Sequence, residues 1–379
     1  MKFIHLSDLH LGKRLYEYSL IEDQAYILKE ILQTVRDEKP DGVIIAGDVY
    51  DKPVPSAGAV SLFDDFLFGL SELKTKVFII SGNHDSPERI AFGSRIMNAG
   101  GIYLSPVYDG NVEPIRLSDG YGELNVYMLP FIKPANVREF FENEDIATYE
   151  DAVSKAIDCM QIDGHKRNIL ITHQFVTGAV RSESEEISVG GTDNIGARVF
   201  ERFDYVALGH LHSPQNCGTE KIRYCGTPLK YSFSEAADTK SVTVAELAEK
   251  GSLSVRTVDL VPMYDMAEIR GSYDDITLRS YYENTGLQDK YLHITLTDED
   301  DIPDAIGKLR TIYRRIMKLD YDNARTRSSA TVSACEDVEH KSPYELFSDF
   351  YELQNNQPMS EKQSELIRGL IAKIWGDDR

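Results

Sequence analysis

The sequence predicts an α/β protein in which a large domain is followed by smaller units. The chain has 379 residues, 42% of them apolar and 27% charged, which is enough for a full α/β domain and one or two further units. Short apolar stretches of strand length are separated by a helical pattern, and five of them are followed directly by Asp, Asn or His. Open α/β sheets carry their sites at the carboxyl ends of strands, so these stretches also predict a functional site.

The predicted strands and the polar residues after them follow one another in order. The first strand, 2–6, is followed by Asp8 and His10, which the strand period of two places on one side. A helix is predicted over about 20–36 because apolar residues recur there at three- and four-residue spacing. The other strands and their polar residues are 42–46 with Asp48 and Asp51, 77–80 with Asn83 and His84, 168–172 with His173, and 205–208 with His210 and His212. One such strand end is commonly an ordinary turn, but five together indicate a shared site.

The chemistry of these residues predicts a metal centre. Seven of them supply nitrogen or oxygen donors and no thiolate: Asp8, His10, Asp48, Asn83, His173, His210 and His212. Seven donors exceed the needs of one tetrahedral ion, so two divalent ions are predicted. Mixed imidazole, carboxylate and amide donors suit Mn²⁺, with Fe or Zn²⁺ possible, and Mg²⁺ fits less well because it prefers oxygen. Asp48, the carboxylate in the middle of the set, is the predicted bridge between the two ions.

Composition excludes several other classes of protein. The net charge of −21 argues against a protein that coats nucleic acid by bulk electrostatics, so any nucleic-acid role needs local cations, metals or a partner. The four cysteines have no C-x-x-C spacing, which argues against a zinc cage or a disulfide framework. The chain starts with a predicted strand and has no apolar run approaching eighteen residues, so we expect a cytoplasmic protein without a membrane segment.

Five motifs together resemble those of the calcineurin-like metallophosphoesterases, over residues 1 to about 230. The motifs are Asp8-x-His10, Gly47-Asp48-x-x-Asp51, Gly82-Asn83-His84-Asp85, His173 and Gly209-His210-x-His212. The resemblance implies a four-layer α/β sandwich that binds two metals. One metal would be held by Asp8, His10, Asp48 and His212, and the other by Asp48, Asn83, His173 and His210.

The same resemblance implies a reaction. An activated water would attack phosphorus in line, and the metals would neutralise charge on the phosphoryl oxygens. His84 matches the non-ligand histidine of the family and would stabilise or protonate the leaving oxygen. Asp51 is suited by its position to orient that acid. Asp85 receives no role.

Longer stretches around the motifs, 3–12, 46–51 and 224–235, resemble the SbcD family, the bacterial nuclease subunits of a double-strand-break repair complex. Weaker similarity extends over the whole chain. The resemblance implies an Mn²⁺-dependent exonuclease for duplex DNA ends and endonuclease for hairpins and single strands. It also implies an SbcC-type ATPase partner that regulates access of DNA, and a place beside the nucleoid in the cytoplasm.

After about residue 262 the alternation of strands and ligands stops, so we divide the chain into a nuclease domain (1–262), an α+β capping and DNA-binding domain (263–340) and a helical tail (341–379). Strands are predicted over 264–270, 291–297 and 331–335, and an amphipathic helix over 304–319. Candidate phosphate contacts are Lys13, Arg14 and Lys52 beside the ligand motifs, and Lys308, Arg310, Arg314, Arg315 and Lys318 in the cap. For the cap residues, an ordinary solvated helix face is the alternative.

Two helical regions predict contacts with other chains. The helix over 56–74 carries two apolar stripes, which either pack within the domain or form a homodimer. The family resemblance favours the dimer, through 57–73 and 88–99. The two tail helices either dock on their own cap or, as the resemblance implies, on the coiled-coil base of the ATPase. The Ser-, Glu- and Gly-rich segment 181–196 is predicted to be a loop near the site.

Two other functions share part of this pattern. A metallophosphoesterase for a small molecule or a phosphoprotein would use the same seven ligands, although the cap, the basic cluster and the tail argue against it. A non-catalytic scaffold could position DNA for a partner, although the complete ligand set and His84 argue against that.

Overall fold

The structure, a computed structural model, describes residues 1–180, 182, 194–327, 343–355 and 358–375. It divides into two units, Met1–Asp265 and Met266–Arg379. The strand predicted over 331–335 and most of the loop predicted over 181–196 lie outside the described residues. In the part of the chain that is described, no helix is both long and apolar enough to cross a membrane.

Two six-stranded sheets form the first unit. The first sheet has the order β14-β13-β1-β4-β5-β6 and consists of β1 (Lys2–Leu6), β4 (Gly42–Ala46), β5 (Lys76–Ile80), β6 (Ile102–Leu104), β13 (Ser241–Leu247) and β14 (Leu253–Asp259). The second has the order β11-β12-β10-β9-β8-β7 and consists of β7 (Ile115–Asp119), β8 (Gly122–Leu129), β9 (Arg167–His173), β10 (Tyr205–Gly209), β11 (Gln215–Cys217) and β12 (Thr219–Tyr224). β2 (Arg14–Leu15) and β3 (Tyr18–Ser19) form a short hairpin.

The parallel strands of each sheet run next to one another. β1, β4, β5 and β6 are parallel neighbours in the first sheet, as are β8, β9, β10 and β12 in the second. Antiparallel strands flank them, namely β13 and β14 in the first sheet and β7 and β11 in the second. The five strands predicted to precede ligands differ from the observed strands by at most one residue at either end.

The helices begin and end close to their sequence signals. In the first unit they are α1 (Ile21–Glu38), α2 (Ala57–Glu72), α3 (Pro87–Ile90), α4 (Ser94–Met97), α5 (Pro134–Arg138) and α6 (Tyr149–Cys159), with 3₁₀ turns at Asn98–Gly100, Ala197–Phe200 and Phe233–Glu235. α1 ends at Lys39, whose φ of 49° is left-handed and whose N–H donates to Val35 O. Ser56 caps α2 by accepting from Ala59 N at 3.3 Å.

The first unit is a four-layer sandwich, so the predicted fold class is confirmed. Side chains alternate along each strand: Phe3 and Ile44 point into the core between the sheets, where they meet Ile169 and Tyr205 of the second sheet. α2 packs against β5 of the first sheet and against α1, and the outer face of the second sheet packs with α6. His5 joins the sheets, because its Nε2–H donates to Leu208 O at 3.1 Å and its Nδ1 accepts from the Tyr205 hydroxyl at 2.9 Å.

The second unit contains a three-stranded parallel sheet in the order β15-β16-β17, made of β15 (Met266–Gly271), β16 (Tyr291–Leu296) and β17 (Arg315–Tyr321). Its helices include α7 (Tyr273–Thr277), α8 (Arg279–Tyr282), α9 (Ala305–Arg310), α10 (Pro343–Asn355) and α11 (Glu361–Trp375), with a 3₁₀ turn at Leu287–Asp289. α10 and α11 are the two helices predicted for the tail.

The amphipathic helix predicted over 304–319 is wrong in its second half. The helix ends at Arg310, and β17 follows from Arg315. The inward residues Leu309, Tyr313 and Ile316 are indeed buried, so their spacing correctly indicated burial. The helical spacing did not predict the strand 315–321, because that strand is stabilised by pairing with β16, and such pairing overrides the local periodicity of the sequence.

The two stripes of α2 are mostly covered within the subunit. Phe63, Phe66 and Leu70 are buried, whereas Val60 and Phe68 are exposed. Ile90 lies in the segment 88–99 that is predicted to take part in the dimer, but it is buried within its own subunit and is not exposed to a second chain. Phe92 and Ile96 are 84% and 82% exposed.

Candidate metal centre

The two sheets meet at one edge, where the carboxyl ends of parallel strands bring the predicted ligands together. The ligand positions are Asp8 and His10 after β1, Asp48 after β4 and Asn83 after β5 in the first sheet, and His173 at the end of β9 with His210 and His212 after β10 in the second. The loops after β1 and β4 run side by side: Asp8 N donates to Gly47 O at 3.0 Å, and His10 N donates to Asp48 O at 2.9 Å. This topology explains why strand ends that are far apart in the sequence lie at one place.

Four of these ligand residues have a left-handed backbone. Their φ angles are 53° at Asp8, 45° at His10, 49° at Asp48 and 106° at His210. This conformation costs a residue other than glycine about 1–3 kcal/mol and persists where the surroundings enforce it. Two buried side chains hold the first of these loops: Gln24 Nε2 donates to His10 O at 2.7 Å, and the Tyr231 hydroxyl donates to Leu9 O at 2.6 Å.

Close approach of the backbones requires glycine at two positions. A Cβ on Gly82 would lie 2.1 Å from Asp48 Oδ1, and a Cβ on Gly209 would lie 1.9 Å from Ala46 O and 2.7 Å from His173 Nδ1. Both positions are far inside van der Waals contact. These two glycines therefore allow the ends of β5 and β10 to approach the end of β4.

Asp48 lies in the middle of the donor atoms. Its Oδ2 is 3.7 Å from His10 Nε2 and 3.3 Å from His173 Nε2. On the His173 side, Asn83 Oδ1 is 2.9 Å from His173 Nε2 and 3.1 Å from His210 Nδ1. The site thus has two groups of donors with one carboxylate between them, which is the arrangement a bridging ligand needs.

The second group of donors comes from Asp8, His10 and His212, whose ligand atoms all lie within 4.8 Å of one another. All three side chains are buried. Neither ring nitrogen of His10 has a hydrogen-bond partner among the described residues. Burial lowers the pKa of His10 well below its ordinary value, so the ring is a neutral imidazole with a lone pair available.

The electrostatics of the pocket also fit divalent cations. Burial alone would lower the pKa of His173, but the neighbouring carboxylate of Asp48 raises it to about 9. Burial raises the pKa of Asp8. A histidine drawn toward the charged state, a carboxyl group drawn toward the neutral state and an imidazole without a partner are all features that bound cations would relieve. The residues present therefore fit two metal ions.

Neighbouring groups orient two of the histidines. His173 Nδ1 donates to Ala46 O at 2.8 Å, which leaves Nε2 facing the donor cluster. His212 Nδ1 lies 3.5 Å from the carboxylate of Glu235, and Glu235 is completely buried. Lys240 donates to the same carboxylate at 2.6 Å. Carboxylate or carbonyl groups behind histidine ligands commonly fix the tautomer and the ring orientation.

Glu235 lies behind the predicted ligand His212, although it received no role from the sequence. Although burial raises its pKa, the hydrogen bonds from His212 and Lys240 hold the pKa of Glu235 well below its ordinary value, so the carboxylate is charged. A single Glu in the serine-rich turn 232–235 has no spacing that distinguishes it from a surface residue. Only its position in the resemblance to a known family could have drawn attention to it.

The structure changes the interpretation of Asp51. His84 Nδ1 donates to the backbone carbonyl of Asp51 at 3.1 Å, so the orienting acceptor is main chain rather than the predicted carboxylate. The Asp51 carboxylate instead pairs with Lys13 at 2.9 Å and lies 3.8 Å from His10 Nδ1. His84 is partly exposed, with its ring centroid 4.8 Å from that of His10. It is therefore beside the donor cluster and accessible to a substrate.

Asp85, which received no role from the sequence, joins two ligand loops. Its buried carboxylate accepts from Val49 N at 3.0 Å, Tyr50 N at 2.9 Å and Gly82 N at 3.0 Å. Burial and the charge of Asp48 raise the pKa of Asp85 to about 6. The third polar residue of the motif thus holds the loop after β4 against the loop after β5.

The basic residues predicted to contact DNA lie on several elements. Lys308 and Arg310 are exposed on α9, and Arg314 is exposed between α9 and β17. On β17 itself, Arg315 lies 3.9 Å from Asp289 and Lys318 lies 2.6 Å from Asp320. In the first unit, Lys13 pairs with Asp51, whereas Arg14 and Lys52 are exposed.

Comparison with known proteins gives two family matches. The family described as calcineurin-like phosphoesterase matches residues 1–214, and the family described as type 5 capsule protein repressor C-terminal domain matches residues 262–355. Among curated proteins, the SbcD subunit of the nuclease SbcCD from Staphylococcus epidermidis is 34% identical over 383 residues, covering 99% of each chain.

Two solved structures are also similar to the chain. A dimetal phosphatase from Danio rerio is 11% identical with a TM-score of 0.42, covering 69% of this chain and 98% of that one. A protein of Thermus thermophilus is 11% identical with a TM-score of 0.36, covering 68% of this chain and 98% of that one.

Proposed function

The chain belongs to the calcineurin-like phosphoesterases, among the SbcD nuclease subunits, and is a metal-dependent phosphodiesterase; on this premise we propose that it cleaves DNA with Mn²⁺. The proposed substrates are duplex ends, cut as an exonuclease, and hairpins and single strands, cut as an endonuclease. The observation that carries the proposal is the set of seven nitrogen and oxygen donors around Asp48, five of them buried and two, Asn83 and His210, partly exposed, with the accessible His84 beside it.

The chain's own residues have distinct parts in the proposed reaction. Divalent ions, when bound, would supply Lewis-acid stabilisation of the phosphoryl oxygens and would activate water. Ligation would use Asp8, His10, Asp48 and His212 in one group and Asp48, Asn83, His173 and His210 in the other. His84, held at Nδ1 by the Asp51 carbonyl, presents Nε2 outward and, when protonated, donates from that atom to the leaving oxygen.

The test is hydrolysis of linear duplex, hairpin and single-stranded DNA by the full chain with Mn²⁺, beside a generic phosphodiester. We expect Mn²⁺-dependent cleavage of all three DNA substrates, and a loss of about 100-fold or more for His84→Ala, the usual range for an acid–base group. DNA cleavage that is unaffected by His84→Ala would refute the acid role. Activity on the generic substrate alone would favour a small-molecule or phosphoprotein phosphoesterase, and DNA binding without any hydrolysis would favour a scaffold.

An SbcC-type ATPase is the proposed partner, because the curated relative is named as a subunit of SbcCD. The complex would act in DNA repair, recombination and replication, in the cytoplasm beside the nucleoid. In this complex the second unit would serve as a cap that contacts DNA, and α10 and α11 would dock on the ATPase.

Cationic contacts to DNA are proposed for the cap and for the rim of the metal centre. With a net charge of −21, binding must depend on local cations, and the exposed Lys308, Arg310, Arg314 and Lys52 are better placed for it than the ion-paired Arg315 and Lys318. We expect each of Lys308→Ala and Arg310→Ala to reduce the salt slope of DNA binding by about 1. An unchanged slope would exclude these two residues from the interface.

A homodimer through 57–73 and 88–99 is also proposed. It is supported by the exposed apolar side chains of Val60, Phe68, Phe92 and Ile96 in these segments. Light scattering after size exclusion should give a dimer for the natural chain and a monomer for Ile96→Asp. Leu278→Asp, which places the same charge on an exposed leucine of the second unit, should leave the dimer intact. A monomeric natural chain would refute the proposal.

A further inference from the structure

A sixth strand reaches the metal centre without supplying a predicted ligand. β8 is parallel to β9, and Leu129 at its end pairs with Thr172, the residue before His173. The chain then continues as Pro130-Phe131-Ile132-Lys133. Phe131 N donates to Ser81 O at 2.9 Å, next to the loop that carries Asn83. The topology therefore places an aromatic ring and a cationic residue at the edge where the ligands converge.

The contacts of Phe131 place its ring against the centre. Its centroid is 6.2 Å from that of His173, with the rings almost perpendicular at 86°. The ring is partly exposed, and the ammonium of Lys133, also exposed, lies 5.9 Å from its centroid. The ring centroid of Tyr149 lies 6.2 Å from that of Phe131. The ring centroid of Phe175 lies 6.4 Å from that of His210, but Phe175 also packs against the core beneath the second sheet.

An aromatic face and a cation beside a phosphodiesterase centre match the parts of a nucleotide. A nucleobase stacks on an aromatic ring whatever its sequence, and a phosphate pairs with an ammonium. The net charge of −21 repels a polyanion such as DNA. A cation held beside the centre by the end of β8 would offset that repulsion where the phosphate binds.

We propose that Phe131 and Lys133 form a nucleotide subsite, in which the ring stacks on an unpaired base next to the scissile phosphate and the ammonium contacts the adjacent backbone phosphate. This inference rests on the proposed nuclease function and specifies the state of the DNA that the centre accepts. A base inside an intact duplex is stacked on both faces by its neighbours, so it can stack on this ring only after it has left the helix. Frayed ends, hairpin loops and single strands provide such bases, whereas an intact duplex interior does not.

The test combines a protein change with a DNA change. Single-turnover cleavage of an oligonucleotide is compared with that of oligonucleotides in which one base beside the scissile bond is replaced by an abasic site. For the natural chain we expect a loss of about 5- to 100-fold at one flanking position, the range of base–aromatic stacking. Phe131→Leu should cleave intact DNA more slowly by a similar factor, and the abasic site should slow this variant almost no further. Phe131→Trp should restore the difference in cleavage rate between intact and abasic DNA. Losses that multiply independently would overturn the subsite.

Controls separate stacking from damage to the centre. Phe140→Leu changes an exposed phenylalanine whose ring packs on Tyr108, and it should leave the cleavage of both substrates unaffected. Mn²⁺ affinity, measured by calorimetry, should be the same for Phe131→Leu and the natural chain; a large decrease would instead assign Phe131 to the support of His173. Lys133→Ala should weaken DNA binding and reduce its salt slope by about 1, and Lys133→Arg should not.

A binding measurement keeps this inference distinct from the nuclease proposal. Anisotropy of labelled intact and abasic single strands is measured for the full chain with Ca²⁺ in place of Mn²⁺. Discrimination that depends on Phe131, in a chain that does not cleave DNA, would support the subsite and refute the nuclease. Cleavage of DNA without discrimination in either assay would support the nuclease and refute the subsite.

Discussion

The buried carboxylate of Glu235 faces both the predicted metal ligand His212, at 3.5 Å, and the buried ammonium of Lys240, at 2.6 Å. Glu235→Gln keeps the volume but removes the charge that faces His212 and Lys240. We expect Mn²⁺ affinity to fall about 10- to 100-fold, because residues behind metal ligands commonly contribute that much. We also expect a destabilisation of about 3–5 kcal/mol, because the Lys240 ammonium is left buried and unpaired. Calorimetric titration and urea unfolding measure the two effects.

The double variant Glu235→Gln, Lys240→Met separates these effects. Without the ammonium, most of the lost stability should return, whereas Mn²⁺ affinity should stay low. The sign of the pH dependence follows from the depressed pKa of Glu235: its stabilisation is complete above the ordinary value of 4.5 and is lost as the pH falls below that value toward the folded-state pKa. Below pH 4.5, the free energy of unfolding of the natural chain should therefore fall more steeply with decreasing pH than that of the double variant. Equal acid sensitivity would contradict a stabilising charge on Glu235.

His84 and Asp51 allow a second prediction for single residues. Since the Asp51 carbonyl accepts from His84, Asp51→Asn keeps the acceptor that orients the proposed acid. We expect Asp51→Asn to reduce kcat for phosphodiester hydrolysis by less than about tenfold, and His84→Ala to reduce it far more. Losses of equal size would show that the carboxylate, through Lys13 or His10, is as important as the acid itself.

The close approach of the ends of β10 and β4 can be tested by replacing Gly209 with alanine, which adds one methyl group. A Cβ there would collide with Ala46 O, which belongs to β4 in the other sheet. Gly209→Ala should therefore force β10 and β4 apart, destabilise the chain by several kcal/mol and abolish Mn²⁺ binding, as followed by thermal unfolding and calorimetry. Gly164→Ala is the matched control, since no described atom lies within 4 Å of its Cβ position, and it should change neither quantity. Normal Mn²⁺ binding by Gly209→Ala would show that the sheets can separate without cost.

Strand ends were predictable from the sequence because each carries its own evidence: a buried apolar run, a turn glycine and a polar residue that no core needs. The ligands Asp48 and Asn83 have this form. The residues that escaped prediction, Glu235 and Phe131, have proposed roles that depend on contacts with distant segments. Nothing in 232–235 specifies that it folds against His212, and an aromatic residue after β8 is typical of a core until the sheet order places it beside β9. The strand β17 was missed for the same reason.

In the whole molecule, the predicted metal ligands all lie between residues 8 and 212, whereas the tail helices α10 and α11 begin after residue 342. The two helices pack on each other: Arg368 lies 4.4 Å from the ring centroid of Tyr344, and Gln363 donates to the Tyr351 hydroxyl at 2.8 Å. They nevertheless expose apolar side chains, including 57% of Phe350, 62% of Leu366 and 43% of Leu370. Such a helical pair is typical of a segment that docks on another surface.

A chain truncated before Ser342 tests that interpretation. Because every predicted metal ligand precedes the tail in the sequence, we expect the truncated chain to keep Mn²⁺ binding and hydrolysis of a generic phosphodiester within about twofold, while it no longer co-purifies with the proposed ATPase partner. Leu366→Asp in the full chain should weaken the same association, because it places a charge in the proposed contact. Lys362→Asp, which introduces the same side chain at an exposed position of α11, should retain it. Undiminished association of the truncated chain would mean that the ATPase binds elsewhere.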